Sequence, residues 1–167
     1  MSRMFFIICS VLFVFLLQFS FAQTQNQQLT GQRFSGEIIV QASPAKVWEL
    51  LTDAPQFTEI MGYEYLGGAK KFTQVGSDAR VKVWGDPSRF MLVRATPQKE
   101  LRFNLDPANG SYICNCRWKL SKTANGTRVW FEERYTESSP QSKEDLTAQV
   151  KDANEMLGRL KHKVETE

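Results

Sequence analysis

Apolar and polar positions follow three different rules along this chain. From Met1 to Ala22 they do not alternate: a nearly unbroken apolar stretch, Phe5 to Leu17, follows a single charge at Arg3. Residues 23–33 then turn polar and Gln-rich, as in a flexible leader. From Phe34 the pattern becomes that of a folded domain. Phe34 to Ala42 alternates roughly in period two and predicts a strand with Ile38 and Val40 on one face. Ser43-Pro44 then supplies a preferred helix cap and first residue, and Val47, Leu50 and Leu51 recur at helical spacing. Thr52-Asp53-Ala54-Pro55 repeats that punctuation and opens a second short helix with Phe57, Ile60 and Met61 as its apolar side.

After Gly62 the alternation returns. Tyr63 to Leu66, Ala79 to Trp84, Arg89 to Ala95, Leu101 to Leu105, Tyr112 to Leu120 and Thr127 to Thr136 read as short strands. They are divided by Gly67-Gly68, Asp86-Pro87, Pro97, Asn109-Gly110 and Asn125-Gly126. Asn-Gly favours hairpins because both residues tolerate positive φ, so the last strands should pair antiparallel. Ser139 to Glu167 closes the chain as a long helix. Ser142 and Asp145 have the spacing of a short capping box, and Leu146, Val150, Ala153, Leu157, Leu160 and Val164 form an apolar stripe that needs a surface to cover.

Strand, two short helices, six strands and one long helix resemble the START-like or Bet v 1-like superfamily, also called SRPBCC, which includes polyketide cyclases and lipid-transfer proteins. The residues that carry the resemblance run from Glu37 through Ile-Ile-Val-Gln-Ala-Ser-Pro-Ala-Lys-Val-Trp-Glu-Leu-Leu-Thr to Asp53. Ser43 between Ala42 and Pro44 is a minor departure from the family's turn. The resemblance implies an α+β helix-grip fold over residues 34–167: a seven-stranded curved antiparallel sheet, two short helices and a long C-terminal helix around an internal cavity.

Composition changes the picture at the front of the chain. The first 22 residues hold no acidic side chain and end with Ser20 and Ala22 two apart, the small-x-small pattern of a cleaved export signal, so cleavage after Ala22 is expected. An uncleaved membrane anchor is the alternative, because the apolar run approaches the short limit for a span. Cleavage predicts a periplasmic or secreted protein with no stable membrane insertion. Cys9 follows Ile8, a poor context for lipid attachment. The whole chain carries a formal net charge of +3 with its signs interleaved, which argues against nucleic-acid binding through a clustered basic face.

Strand parity selects the candidate wall of the cavity. Cys114, Cys116 and Trp118 share one face of their strand, and Val129, Phe131, Glu133 and Tyr135 share one face of the next. Leu101 and Phe103, Val81 and Val83, Tyr63 and Tyr65, with Val150 and Leu157 from the last helix, complete the expected ligand-binding set. The same residues could equally pack into a solid core. Cys114 and Cys116 read as two buried thiols or as a bridge at the edge of allowed geometry, since alternate strand residues lie about 6.5–7 Å apart. A metal would need more ligands than this pair. The sole histidine, His162, falls off the apolar stripe, and no Asp or Glu spacing completes a set, so no metal or cofactor is expected.

Glu133 is the candidate acid or base. Buried without a partner its carboxyl would be hard to ionise; pairing with Arg94, Arg80 or Lys70, or a place at the strand's wet end, is the plainer reading. Trp84 and Trp130 are expected to point outward beside Lys82, Arg128 and Arg134, either as a surface for a partner or a weak homodimer or as rings covered by arginine stems. Together these features predict an exported, non-catalytic binder or carrier of a small hydrophobic molecule such as a lipid, isoprenoid or aromatic. A cyclase-, dehydratase- or hydrolase-like enzyme using Glu133 is the rival.

Overall fold

The computed structural model describes residues 30–137 and 142–166. The expected signal segment and most of the leader lie outside them. Strand β1 (Thr30–Val40) leads into helices α1 (Pro44–Thr52) and α2 (Ala54–Met61). Strands β2 (Glu64–Gly68), β3 (Asp78–Val83), β4 (Asp86–Thr96), β5 (Glu100–Pro107), β6 (Tyr112–Thr123) and β7 (Gly126–Glu137) follow, and helix α3 (Lys143–Thr166) ends the described chain. All seven strands form one antiparallel sheet in the order β1-β7-β6-β5-β4-β3-β2. This is the expected α+β helix-grip architecture. β1 starts four residues before Phe34, because Thr30 still has Glu137 to pair with.

The helix boundaries follow from their caps. The Ser43 hydroxyl accepts from the Lys46 N–H at 3.2 Å, and Pro44 fills the first helical position, where no N–H is needed. The Asp53 carboxylate caps α2 through the Gln56 N–H at 3.1 Å. At the start of α3 the Ser142 and Asp145 side chains accept from each other's backbone N–H at 3.0 and 3.1 Å, the reciprocal box expected from their spacing.

Two turns differ from their sequence reading. Asp86-Pro87 is not the β3–β4 turn. Trp84 and Gly85 occupy it, between the Val83–Asp86 pair, with φ of 49° and 97°, the double left-handed geometry of a type I′ hairpin. Pro87 fits the beginning of β4, a position a proline tolerates. Asn125-Gly126 is not the β6–β7 loop either: Ala124 and Asn125 form it, inside the Thr123–Gly126 pair, and Gly126 opens β7 with a positive φ of 136°. A Cβ there would stand 2.0 Å from the Val40 carbonyl oxygen, so glycine is what lets the end of β1 reach the hairpin. The Thr127 hydroxyl donates to the Ala42 carbonyl at 2.7 Å and ties the same corner.

The concave face is filled from α2. Phe57 is fully buried and meets the rings of Phe72, Phe90, Phe103 and Trp118 at centroid distances of 6.1, 5.4, 4.9 and 5.6 Å. Ala153, Met156, Leu157, Leu160 and Val164 of α3 are buried as well. Leu157 reaches within 2.9 Å of where a Gly36 side chain would begin, so the missing side chain lets the helix settle on β1. Leu146 and Val150 depart from the expected stripe and stand 40 % and 49 % exposed. In the first turns of α3 residues 143–148 and Val150 are exposed, while Gln149 between them borders the opening of a cavity.

On the convex face, Glu100 accepts from the Nε of Arg102 and of Arg117, the latter at 2.8 Å. Burial opposes ionisation of this carboxyl, but the two guanidinium partners win and hold it below the ordinary carboxylate value. A lowered folded value means that the stabilisation is present at neutral pH and is lost as pH falls through that value. Glu100→Gln should therefore cost at most about 1 kcal/mol at pH 7. Urea unfolding of the two proteins should converge in acid; a gap that widens there would contradict the ion-pair assignment.

Candidate functional site

A cavity of about 240 Å³ opens between the sheet and α3. Its sheet wall consists of Phe34 on β1, Leu105 on β5, Tyr112 on β6 and Phe131 and Glu133 on β7. The end of α2 contributes Met61, its left-handed cap Gly62, and Tyr63. Ala153 and Met156 of α3 supply apolar surface, while Gln149, Asp152, Glu155 and Arg159 give that side a polar edge. Arg159 is fixed by its Nε, which donates to the Ile60 carbonyl at 2.9 Å and couples α3 to α2. The side-chain oxygen of Gln149 is buried with no hydrogen-bond partner among the described residues.

Trp84 stands at the mouth, 73 % exposed, in the strained half of its turn. A left-handed conformation costs a bulky L-residue roughly 1–2 kcal/mol, whereas asparagine tolerates it. Trp84→Asn should raise stability by about 1 kcal/mol in urea unfolding. Unchanged or lower stability would show that the ring makes compensating contacts.

Parity brings an ionisable cluster to the inner end of the cavity. Cys116 lies opposite Glu133 across the β6–β7 ladder, and Cys114 lies one pair further along the same face. The Cys114 thiol donates to Glu133 Oε1 at 2.9 Å, and the two sulfurs, both buried free thiols, are 3.8 Å apart. Burial pushes the Glu133 carboxyl above the ordinary carboxylate range, outweighing the Cys114 hydrogen bond that favours its charged form. The Cys116 hydrogen bond, burial and the Glu133 charge raise the Cys114 thiol well above its usual value. Cys116 is raised too: its bond from Cys114 favours the thiolate, but burial and Glu133 prevail. Burial, then the Glu133 charge, push the Tyr63 phenol up beside them. The arginine and lysine partners considered for Glu133 are absent among the described ion pairs.

Of the expected ligand-binding residues, the cavity takes in Tyr63, Phe131 and Glu133. Val81, Val83, Leu101, Phe103, Trp118 and Val129 are buried in the core but do not line the cavity. Tyr65 instead donates to the Gly68 and Ala69 carbonyls at 3.0 and 3.1 Å. Leu157 packs on Gly36, Val150 is exposed, and the side chain of Tyr135 lies outside the described residues. Phe34 shares parity with Ile38, and Tyr112 with Cys114, so both were open to discovery by alternation; the contribution of Met156 depends on how far the helix stands off the sheet. Trp130 is covered by Arg117 and Lys119, at 6.0 and 5.0 Å from its ring, rather than by the cations expected. His162 is exposed, off the apolar stripe.

Residues 31–165 match the family described as polyketide cyclase / dehydrase and lipid transport. The chain belongs to that family, within the SRPBCC superfamily. No curated protein matches the chain at a significant level. Among solved structures it is similar to a protein of unknown function, SA2116, from Staphylococcus aureus, with TM-score 0.70 and 14% identity over 84% of this chain and 98% of that one. Ara h 8.0201 shares the fold with TM-score 0.59 and 12% identity over 81% and 98% of the two chains. DynU16, from the dynemicin biosynthetic locus, gives TM-score 0.62 and 19% identity over 80% of this chain and 47% of that one. At these identities the likeness concerns the fold. Among the described residues no helix is long and apolar enough to cross a membrane.

Proposed function

We propose that this protein binds a small hydrophobic molecule in the cavity between the sheet and α3, and that it does so outside the cytoplasm. The observation that carries the reading is the cavity itself: an apolar wall of Phe34, Leu105, Phe131 and Met156 with a few inward polar groups, Glu133 and Tyr63 among them. Its volume of about 240 Å³ lies under the roughly 300–1,000 Å³ of sites for drug-sized ligands. That favours an aromatic or short isoprenoid over a complete diacyl lipid. The unmatched oxygen of Gln149 favours a ligand with a hydrogen-bond donor. Trp84 and the Gly62–Tyr63 segment form the gate.

Native mass spectrometry of the protein purified from its own host tests this reading. Co-purified apolar mass supports it, and an empty chain that also takes up no small aromatic or isoprenoid added in excess overturns it. Export is tested by the amino-terminal sequence of the protein recovered outside the cytoplasm, expected to begin at Gln23. The second reading, acid–base chemistry in the same cavity, is favoured by one observation, the carboxyl of Glu133 pushed above the ordinary carboxylate range by burial. Turnover of ester or polyketide-like substrates would then disappear in Glu133→Gln.

A further inference from the structure

Cys114, Cys116 and Glu133 form a cluster that packing does not explain. A solid apolar wall would be served by alanine or valine at all three positions. Instead, two sulfurs and a carboxylate oxygen lie within 4.8 Å of one another on neighbouring strands. Each of these groups is negative when it loses its proton, and no cation pairs with Glu133 among the described residues. Ionising any one of them alone is therefore costly, and a divalent cation bound among them removes that cost for all three together.

The spacing separates a metal from a disulfide. A bridge requires the sulfurs about 2.05 Å apart, which residues two apart on a regular strand reach only with backbone distortion. Two thiolates on a tetrahedral zinc, each about 2.3 Å from the ion, stand about 3.8 Å from each other. The sulfurs of Cys114 and Cys116 are 3.8 Å apart already. Glu133 Oε1, now 2.9 Å from the Cys114 sulfur, has to withdraw by roughly half an ångström to reach a sulfur–oxygen edge of about 3.5 Å. The Cys116 sulfur and the Glu133 carboxylate oxygen, within 4.8 Å of each other, have to meet a similar edge, and rotation of the glutamate side chain is the movement that would set both.

We propose that Cys114, Cys116 and Glu133 bind one thiophilic divalent cation, Zn2+ by the chemistry of the donor set, at the inner end of the cavity. Both thiols give their protons to solvent as the Zn–S bonds form, and Glu133 gives up its own when protonated. Three protein ligands leave one tetrahedral position, as in zinc sites that react rather than merely brace a fold. Only Glu133 of the three lines the cavity, so the fourth ligand comes from that side: a water, or a donor atom of whatever the cavity holds. The site does not depend on the organic ligand proposed above, so either reading can fail alone.

The test uses reduced, chelator-treated protein, with Cys9→Ser wherever the first 22 residues are retained. Titration with Co2+ should produce thiolate-to-cobalt charge transfer and the strong visible bands of a tetrahedral ion, saturating at one equivalent and abolished by Zn2+. Cys114→Ser/Cys116→Ser should lose the bands, Glu133→Gln should weaken binding at least about 10-fold, and His162→Ala should leave it unchanged. Native mass spectrometry of the wild type loaded with Zn2+ should show one metal and the loss of at least two protons, a readout that holds even where the double variant fails to fold. Absence of charge transfer, bands that persist without both cysteines, or zinc bound with fewer than two protons released would each overturn the site.

Discussion

Phe57→Ala is expected to destabilise the protein by roughly 3–5 kcal/mol in urea or thermal unfolding. The ring is fully buried where α2 meets the sheet, stacked on Phe103 and edge-on to Phe72 and Trp118. Removing it loses the transfer energy of an aromatic side chain and leaves a void whose walls, four large rings, cannot all collapse inward. Against a typical total of about 5–15 kcal/mol, this single change takes the domain close to the edge of folding. Phe57→Leu should cost less, because a branched chain still fills most of the space. Ligand uptake should weaken in both, since α2 carries Met61, Gly62 and Tyr63 to the cavity. A loss under about 1 kcal/mol for the alanine variant would mean that α2 does not hold the core together.

Ala153→Phe should abolish uptake of apolar ligands with little change in folding. Ala153 is buried on α3 and faces the cavity, so a phenyl ring placed there occupies the space a ligand needs. Affinity should fall at least about 100-fold, equivalent to about 2.7 kcal/mol. The same substitution in a solid interior would instead cost about 1–3 kcal/mol through overpacking. Measuring unfolding and binding on the same variant therefore distinguishes a working cavity from a packed core. Retained affinity would remove this space from the binding reading.

Local chemistry made much of the fold legible. Ser43-Pro44 and Asp53-Ala54-Pro55 start helices because a side-chain acceptor and a proline solve the same end-of-helix problem wherever they occur. Period-two alternation placed Cys114, Cys116, Phe131 and Glu133 on inward faces, since pairing in register leaves each side chain only two directions. The extent of the cavity was not legible. Leu105 borders the cavity and Val83 does not, although both are buried on inward faces, and that difference is set by tertiary packing with no local signature. Leu146 and Val150 obey the same periodicity as Leu157, yet both stand exposed where Leu157 is buried, because periodicity does not tell how far along a helix its neighbours extend. The Trp84-Gly85 turn was hidden because tryptophan is a rare occupant of left-handed backbone, and Asp86-Pro87 next to it is a stronger turn signal.

The clustering of Cys114 and Cys116 with Glu133 was half visible. Their spacing within the strand was plain, but the register of β6 against β7, which brings the carboxylate to the sulfurs, depends on the whole length of the hairpin.

Sheet order has a kinetic consequence. β1, the first strand of the sheet to be made, pairs only with β7, the last, across roughly a hundred residues of intervening chain. The meander from β2 to β7 can zip together through neighbouring hairpins, while β1 has to wait for the far edge to exist. Pulsed hydrogen exchange during refolding should find the amides of β1 protected last. The strand made first is thus the strand joined last, and its amides wait for the far edge of the sheet to receive them.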